Sequence, residues 1–289
     1  MDIFSLVESV EPLWCLPFST VFLIFIIFSF VGWCAEVLYV GIFFEHKFIN
    51  RGFLHGPICP IYGFGGLVLL LLPKILYKTW IPLFFASMIL CSAVEYFISW
   101  LLEKMFHTLW WDYTHYKFNL NGRICLLNSV LFGVMGVAAI HFAIPLVMMF
   151  LNWLGNQVIQ ISSTVIAFVL AADEVVTIRR LVDFNASMEK LKAFGESLKD
   201  HYGKEEWFRS ESLQAMVASV KEQAAVSKDK ISAGILEKIE GLQGKHKNVE
   251  SFMKRFPTLK SRDYKEEINL YAKHMKERLE SIKKRKNEK

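Results

Sequence analysis

Two glutamates lie inside long apolar stretches of this sequence, Glu36 within residues 18–44 and Glu95 within residues 80–102. A charged group at the centre of a bilayer costs at least ~2.5 kcal/mol on insertion scales, so such residues usually face the interior of a helix bundle. They are candidates for a proton or cation site, or for a docking point for a cationic substrate. A structural pairing with an arginine or a helix N-terminus explains them about equally well.

The segment NRGFLHGPICPIYGFGG at residues 50–66 adds further polar groups. It cannot form an ordinary straight helix, because Gly costs backbone entropy and Pro removes a hydrogen-bond donor. Its candidate site residues are Asn50, Arg51, His55 and Tyr62. A later loop supplies Asp112, Tyr113, Asn121 and Arg123. The arginines offer planar donor forks for phosphate or carboxylate, although both also lie where cationic membrane anchors belong.

The elements that must position these residues are membrane-spanning helices. The 289-residue chain is 53% hydrophobic with a mean hydropathy of +0.32, which is high for a soluble protein. A helix that crosses a bilayer needs about 20 mostly apolar residues. Five segments fit this requirement: 18–44, 53–72, 80–102, 124–151 and 156–178. The predicted fold class is therefore all-α, a polytopic membrane protein with five transmembrane helices.

The charges divide the chain into two parts. Residues 1–182 carry 9 basic and 10 acidic side chains, whereas residues 183–289 carry 24 and 18. We therefore predict a transmembrane domain at 1–182 and a C-terminal cytoplasmic helical region, coiled-coil-like, at 183–289. The positive-inside tendency favours a cytoplasmic tail, and five spans then place the acidic N-terminus outside.

Apolar residues of the tail recur in steps of three and four, which is typical of amphipathic helices. The three stripes are Phe184, Met188, Leu191 and Leu198; Ile231, Ile235, Ile239 and Leu242; and Tyr264, Ile268, Tyr271, Met275, Leu279 and Ile282. Such helices bury their stripes on one another, on a second copy, on a protein partner or on the membrane surface. The basic end IKKRKNEK adds attraction to anionic lipid.

Residues 29–66 and 92–136 show the same order of features. Each has a helix with one embedded glutamate, then a loop with Asn, Gly and Arg, then a helix opening into Gly-spaced sequence. This order predicts an internal duplication into two parallel two-helix repeats, related by an axis along the membrane normal. Their equivalent loops then meet on the cytoplasmic side, around one pocket lined by Asn50, Arg51, His55, Asp112, Asn121 and Arg123.

The motifs GWCAEVLY, FINRGFLHGPICPIYGFGG, VEYFISWLLEK, WWDY and FNLNGRICLLNS occur in that order between about residues 20 and 180. This stretch resembles the bacterial family described as "putative ABC-transporter type IV permeases", CmpB-like. The resemblance implies a bacterial cytoplasmic (inner) membrane protein that moves a substrate. It supplies no set of functional residues to carry over, and it does not extend beyond residue 183.

Three functions are compatible with these features. The first is a permease, the membrane component of a transport system, with a polar site between the two repeats. The second is an intramembrane enzyme acting on a lipid head group, for which no nucleophile and base appear at a recognisable spacing. The third is a membrane scaffold or sensor that signals through its helical tail.

The same sequence sets limits on partners and cofactors. It contains no GxxxxGK[ST] phosphate loop, so an ATP-driven system needs a separate ATP-binding subunit. The five cysteines show no CxxC spacing, so we predict free thiols, no metal and no cofactor. The tail interleaves its acids with its bases, which argues against nucleic-acid binding. The lipid bilayer, an ATP-binding subunit and a second copy or partner at residues 183–289 remain as expected partners.

Overall fold

The computed structural model describes residues 7–8, 10–42, 48, 50–206, 208–227, 259–261 and 263–270. The described chain is mostly helical. Its α-helices are α1 Phe18–Val40, α2 Pro60–Leu69, α3 Lys74–Tyr77, α4 Trp80–Phe106, α5 Leu126–Ala138, α6 Ile144–Leu154, α7 Asn156–Tyr202 and α8 Leu213–Ser227. Its sheet is a two-stranded hairpin of β1 Asn119–Leu120 and β2 Ile124–Cys125.

Within the residues that the structure describes, four stretches are long and apolar enough to cross a membrane: Phe18–Tyr39, Trp80–Phe106, Leu126–Leu154 and Asn156–Tyr202. The third joins α5 and α6 through a π-helical turn at Ala139–Ala143. The predicted span at 53–72 is α-helical only in α2, whose ten residues rise ~15 Å, about half the hydrocarbon core. Residues 50–59 before it are not helical.

The chain divides into two compact units. The first consists of Met1–Leu101 and Trp111–Ile178, and the second of Leu102–Trp110 and Arg179–Lys289. Both α4 and α7 contribute residues to each unit. The helix α7 passes the predicted membrane boundary without a break, because a change from apolar to charged residues does not by itself interrupt helical hydrogen bonds.

Two helix crossings in the first unit depend on glycines that have no room for a side chain. In each crossing, two glycines three residues apart lie against side chains of the neighbouring helix. Gly63 and Gly66 of α2 lie against Ser29, Phe25 and Phe28 of α1, and Gly133 and Gly136 of α5 lie against Phe84 and Ser87 of α4. An added Cβ at any of the four glycines would approach these neighbours to less than 3.0 Å.

The helices α1 and α4 run in the same direction. Leu23 near the start of α1 and Leu83 near the start of α4 belong to one buried apolar cluster. Glu36 and Glu95 lie further along the two helices, and both interact electrostatically with the hydroxyl of Tyr113. Both helices therefore lead from the apolar cluster to the polar candidates, and on α4 Cys91, which packs against the cluster, lies one turn before Glu95.

In the second unit, the first predicted stripe of the tail is buried on α7: Phe184, Met188, Leu191 and Leu198 are each at most 3% exposed. Gly195 of α7 lies against Leu213 of α8, at a distance where an added Cβ would be crowded. The stripe at 231–242 and the residues from 271 onward, including the basic end, lie outside the described residues.

A short segment after α4 pairs with the tail inside the second unit. Leu109 and Lys260 form an antiparallel bridge, with N–H···O distances of 2.6 and 3.0 Å. His107 Nδ1 lies 2.8 Å from the Asp263 carboxylate, and the Ser261 hydroxyl donates to the His107 carbonyl. We name residues 107–110 with 259–261 and 263 the loop–tail bridge.

Candidate functional site

Glu36 projects from α1 towards α2, where Tyr62 donates a hydrogen bond to its Oε1 at 2.7 Å. The contact depends on Gly32, one turn earlier on α1. An added Cβ there would collide with the ring of Tyr62, so only glycine lets the ring lie against the helix. Glu36 is half-buried and its carboxylate faces a donor rather than lipid.

Asn50 organises the loop that precedes α2. Its Oδ1 accepts hydrogen bonds from Trp33 Nε1 at 2.8 Å and from the Gly52 amide at 2.9 Å. Its Nδ2 donates to the His55 carbonyl at 3.0 Å. Asn50 thus fixes the turn at 50–55 against α1, and Cys59 Sγ donates to the carbonyl of half-buried Arg51 at 3.6 Å.

Asp173 of α7 holds the same loop from another side. Its Oδ1 accepts from the His55 amide at 3.0 Å and its Oδ2 from the Gly56 amide at 2.7 Å. The His55 side chain itself is exposed. Sequence analysis did not place Asp173 among the candidate site residues, because its partners are backbone amides more than a hundred residues away.

Glu95 is the buried counterpart of Glu36 on α4, with 6% of its surface exposed. Tyr113 donates a hydrogen bond to Glu95 Oε1 at 3.3 Å. Glu95 Oε2 is also buried, and it accepts no hydrogen bond from any residue that the structure describes. Glu95 therefore has one oxygen with a weak donor and one oxygen without any in the described chain.

The β-hairpin places Tyr113 beside Glu95. The Tyr113 amide donates to the Gly122 carbonyl at 2.8 Å, and Arg123 N donates to the Leu120 carbonyl at 3.0 Å to close the turn. Asn121 and Gly122 between them have φ of 55° and 69°. Both residues need positive φ in a type I′ turn, for which Asn-Gly is the strongest short-range signal. Sequence analysis overlooked this signal.

The turn also directs its side chains onto α4. Asn121 Nδ2 donates to the Tyr96 hydroxyl at 2.9 Å. Arg123, 7% exposed, donates from Nη1 to Ser99 Oγ at 3.4 Å, and its guanidinium lies 5.6 Å from the centroid of the Tyr96 ring. Both candidates therefore contact the stretch of α4 that follows Glu95.

Asp112 shapes the loop ahead of the hairpin. Its two carboxylate oxygens accept from the Thr114 amide at 2.9 Å and from the Thr114 hydroxyl at 3.0 Å. The Asp112 oxygen and the Thr114 methyl also leave no space for a Cβ at Gly122. These contacts keep the next residue, Tyr113, turned towards α4.

The two sets of candidates are linked through tyrosines rather than asparagines. Asn50 bonds within residues 33–55, and Asn121 bonds to Tyr96. Burial raises the pKa of Tyr113 above its ordinary value, and the carboxylates of Glu95 and, less strongly, of Glu36 add to the rise. The Tyr113 hydroxyl thus lies within electrostatic range of both glutamates. Within the described residues, no three His, Cys, Asp or Glu side chains form a metal-ligating group.

The family model described as "Putative ABC-transporter type IV" matches residues 23–178. The chain belongs to this family. The matched region contains all ten candidate residues and ends where the second unit's part of α7 begins. No curated protein and no solved structure shows a significant match to the chain. Together with the four long apolar helices, the family assignment makes the chain an ABC-transporter-related membrane protein.

Proposed function

We propose that the chain is a permease, the membrane component of a transport system, with a polar path between the two predicted repeats near the cytoplasmic side. The observation that carries the proposal is the pair of glutamate–tyrosine contacts, Glu36 with Tyr62 and Glu95 with Tyr113. Ionisable residues at matching positions of repeated units are typical of substrate and ion paths in transporters. Asn50 and Asn121 complete the proposed lining.

The two glycine crossings support the duplication. Phe25 and Phe84, which face the first glycine of each pair, each lie eleven positions before the glutamate of their helix. The spacing between the glycine-contacting phenylalanine and the glutamate is therefore the same in both repeats. The repeats are parallel in this proposal, because α1 and α4 run in the same direction.

The common direction of α1 and α4 also supports five crossings. The chain between them, residues 41–79, must return to the side on which α1 begins. We assign the return to residues 53–72 as a broken span, in which α2 follows non-helical residues that lie against α1 and α7. Interrupted spans of this kind line substrate sites in transporters, because irregular backbone at membrane depth requires protein or a cavity around it.

The remaining assignments follow from charge and family. Residues 1–182 form the transmembrane domain in a bacterial inner membrane, with the N-terminus outside and the tail at 183–289 cytoplasmic. The family name favours an ATP-binding subunit as a partner. The cytoplasmic loops and the tail are the surfaces available to that subunit, and to a second copy.

Complementation tests the path. Cells lacking the chain are compared with wild type for metabolites that change on either side of the membrane, and variants are then tested for restoring the wild-type profile. We expect Glu36→Gln with Glu95→Gln to fail, and Glu174→Gln, on the exposed side of α7 next to Asp173, to succeed. Restoration by the double variant would show that the two glutamates do not line the path.

A scaffold or sensor role is favoured by a different observation, the loop–tail bridge. It joins the loop after α4 to the tail through paired backbone hydrogen bonds, so a partner bound to the tail has a direct route to that loop. Lys260→Pro removes the amide that donates to Leu109 O. If the variant loses its co-purifying proteins but keeps full complementation, the bridge serves partner binding and not transport.

A further inference from the structure

The two glutamates of the proposed path differ in their burial and in the hydrogen bonds that their carboxylate oxygens accept. Glu36 is half-buried and receives a short hydrogen bond from Tyr62. Glu95 is 6% exposed and receives a 3.3 Å bond on Oε1, while Oε2 is buried and accepts none from the described residues. A buried carboxylate oxygen without a donor is unfavourable, and a carboxyl group in that position is neutralised instead.

We propose that Glu95 is the proton-binding carboxyl of this path, taking up a proton on Oε2 while Tyr113 stays bonded to Oε1. The inference rests on the proposed permease function and names the proton as the ion that the path handles. Only one proton is exchanged: the Glu95 carboxylate gains H⁺ on uptake and loses it on release, and the Tyr113 phenol keeps its own proton throughout.

The two carboxylate oxygens of Glu95 have different roles in this proposal: Oε1 accepts the Tyr113 hydrogen bond and Oε2 binds the proton. Because the phenol occupies Oε1, protonation of Oε2 breaks no existing hydrogen bond. A metal cation takes several oxygen ligands, whereas a proton needs only the one oxygen that is open. Tyr113 thus acts as a positioning residue, which holds the carboxyl group still in both states.

The groups around Glu95 come from several elements. Cys91 lies one turn earlier on α4 and interacts electrostatically with Glu95. Tyr113 lies across from it and is within electrostatic range of Glu36 on α1, Tyr62 on α2 and Cys125 on β2. Of these groups, Cys91 and Tyr113 act on Glu95 directly. Neither carries a positive charge that could pair with the carboxylate, and the Tyr113 phenol offers it only the 3.3 Å hydrogen bond. The guanidinium of Arg123 contacts Ser99, one turn beyond Glu95 on α4.

Carbodiimide labelling tests the proposal without a transport assay. Dicyclohexylcarbodiimide adds to the protonated form of a carboxyl group in apolar surroundings and forms a stable N-acylurea that peptide mass spectrometry locates. The full-length protein in mild detergent is labelled across a pH series. We expect an adduct on Glu95 that increases as the pH falls. An unlabelled Glu95, or labelling independent of pH, overturns the proposal.

Tyr113→Phe gives a second, independent readout. The phenol stabilises the charged carboxylate by a hydrogen bond, so its loss strengthens proton binding and moves the labelling midpoint of Glu95 to higher pH by about one unit. Tyr116→Phe is the matched control, because that neighbouring tyrosine is 40% exposed. Equal shifts in the two variants would contradict the role of Tyr113.

Three further outcomes distinguish a proton site from a metal-cation site, and this proposal from the permease function. Protection of Glu95 from labelling by sodium, potassium or magnesium ions at constant pH would identify a metal-cation site and overturn the proton assignment. Labelling of Glu95 as expected, combined with full complementation by the double glutamine variant, would uphold proton binding and refute the transport path. Failed complementation by the double glutamine variant, without any labelling of Glu95, would uphold the transport path and refute proton binding at Glu95.

Discussion

Asp173→Ala offers a direct test of how the loop before α2 is held. Both carboxylate oxygens accept backbone amides, those of His55 and Gly56, at 3.0 and 2.7 Å. A hydrogen bond to a charged group contributes about 1.5–3 kcal/mol, and the lower figure applies to both here because the His55 side is exposed and Gly56 is half-buried. Removal of both bonds therefore costs about 3 kcal/mol against local opening, which corresponds to roughly 100-fold.

Hydrogen exchange measures that opening at the two amides themselves. We expect the peptide covering residues 50–59 to exchange roughly 100-fold faster in Asp173→Ala than in wild type, with the exchange of the helices unchanged. Glu174→Ala is the control, since it removes the adjacent exposed carboxylate. Unchanged exchange in Asp173→Ala, or an equal increase in Glu174→Ala, would refute the idea that this carboxylate anchors the loop.

Three further predictions concern packing, pH and the loop–tail bridge. Gly63→Ala should lower the free energy of unfolding in detergent by about 1–3 kcal/mol, because the added Cβ meets α1. Gly65→Ala should be neutral or stabilising, because nothing lies within 4 Å of its added Cβ. Burial raises the pKa of Glu267 above its ordinary 4.5, so the folded chain keeps a proton that the unfolded chain has lost, and stability falls as the pH rises past that value. Glu267→Gln should therefore raise the unfolding temperature near pH 7 and leave it unchanged near pH 4; a gain at both pH values would contradict this. Leu109→Cys with Lys260→Cys should form a disulfide on oxidation, because paired bridge residues have Cα atoms ~5.5 Å apart. Faster migration on a non-reducing gel reports the disulfide. Failure of the disulfide to form would contradict the bridge.

The long helices were predictable because length and apolar composition alone determine them. The span predicted at 80–102 corresponds to α4, Trp80–Phe106, and the span predicted at 156–178 forms the first half of α7. The predicted second span is the exception, since it contains only the ten-residue α2. Gly and Pro before α2 explain why hydropathy overestimates the helix there: they leave the segment apolar while preventing regular hydrogen bonding.

The contacts of the candidate residues were less accessible to sequence reasoning. The unusual position of Glu95 inside an apolar segment marked it as a candidate, but nothing in the spacing identified Tyr113 as its partner. That pairing depends on the type I′ turn at Asn121 and Gly122, which returns the loop to α4. Likewise, Asp173 binds main-chain amides, which carry no residue-specific pattern to search for.

The loop–tail bridge has a consequence for the order of events during synthesis. Leu109 and Lys260 are 151 positions apart, so at 5–20 residues per second the ribosome needs roughly 8–30 s to supply the second partner after the first. The helices of the described chain that are long enough to span the membrane are complete by Tyr202, before Lys260 is made, so the backbone bonds between Leu109 and Lys260 can form only after those helices. A chain that terminates before residue 259 therefore contains the four candidate spans of the described residues and still lacks the segment that pairs with Leu109.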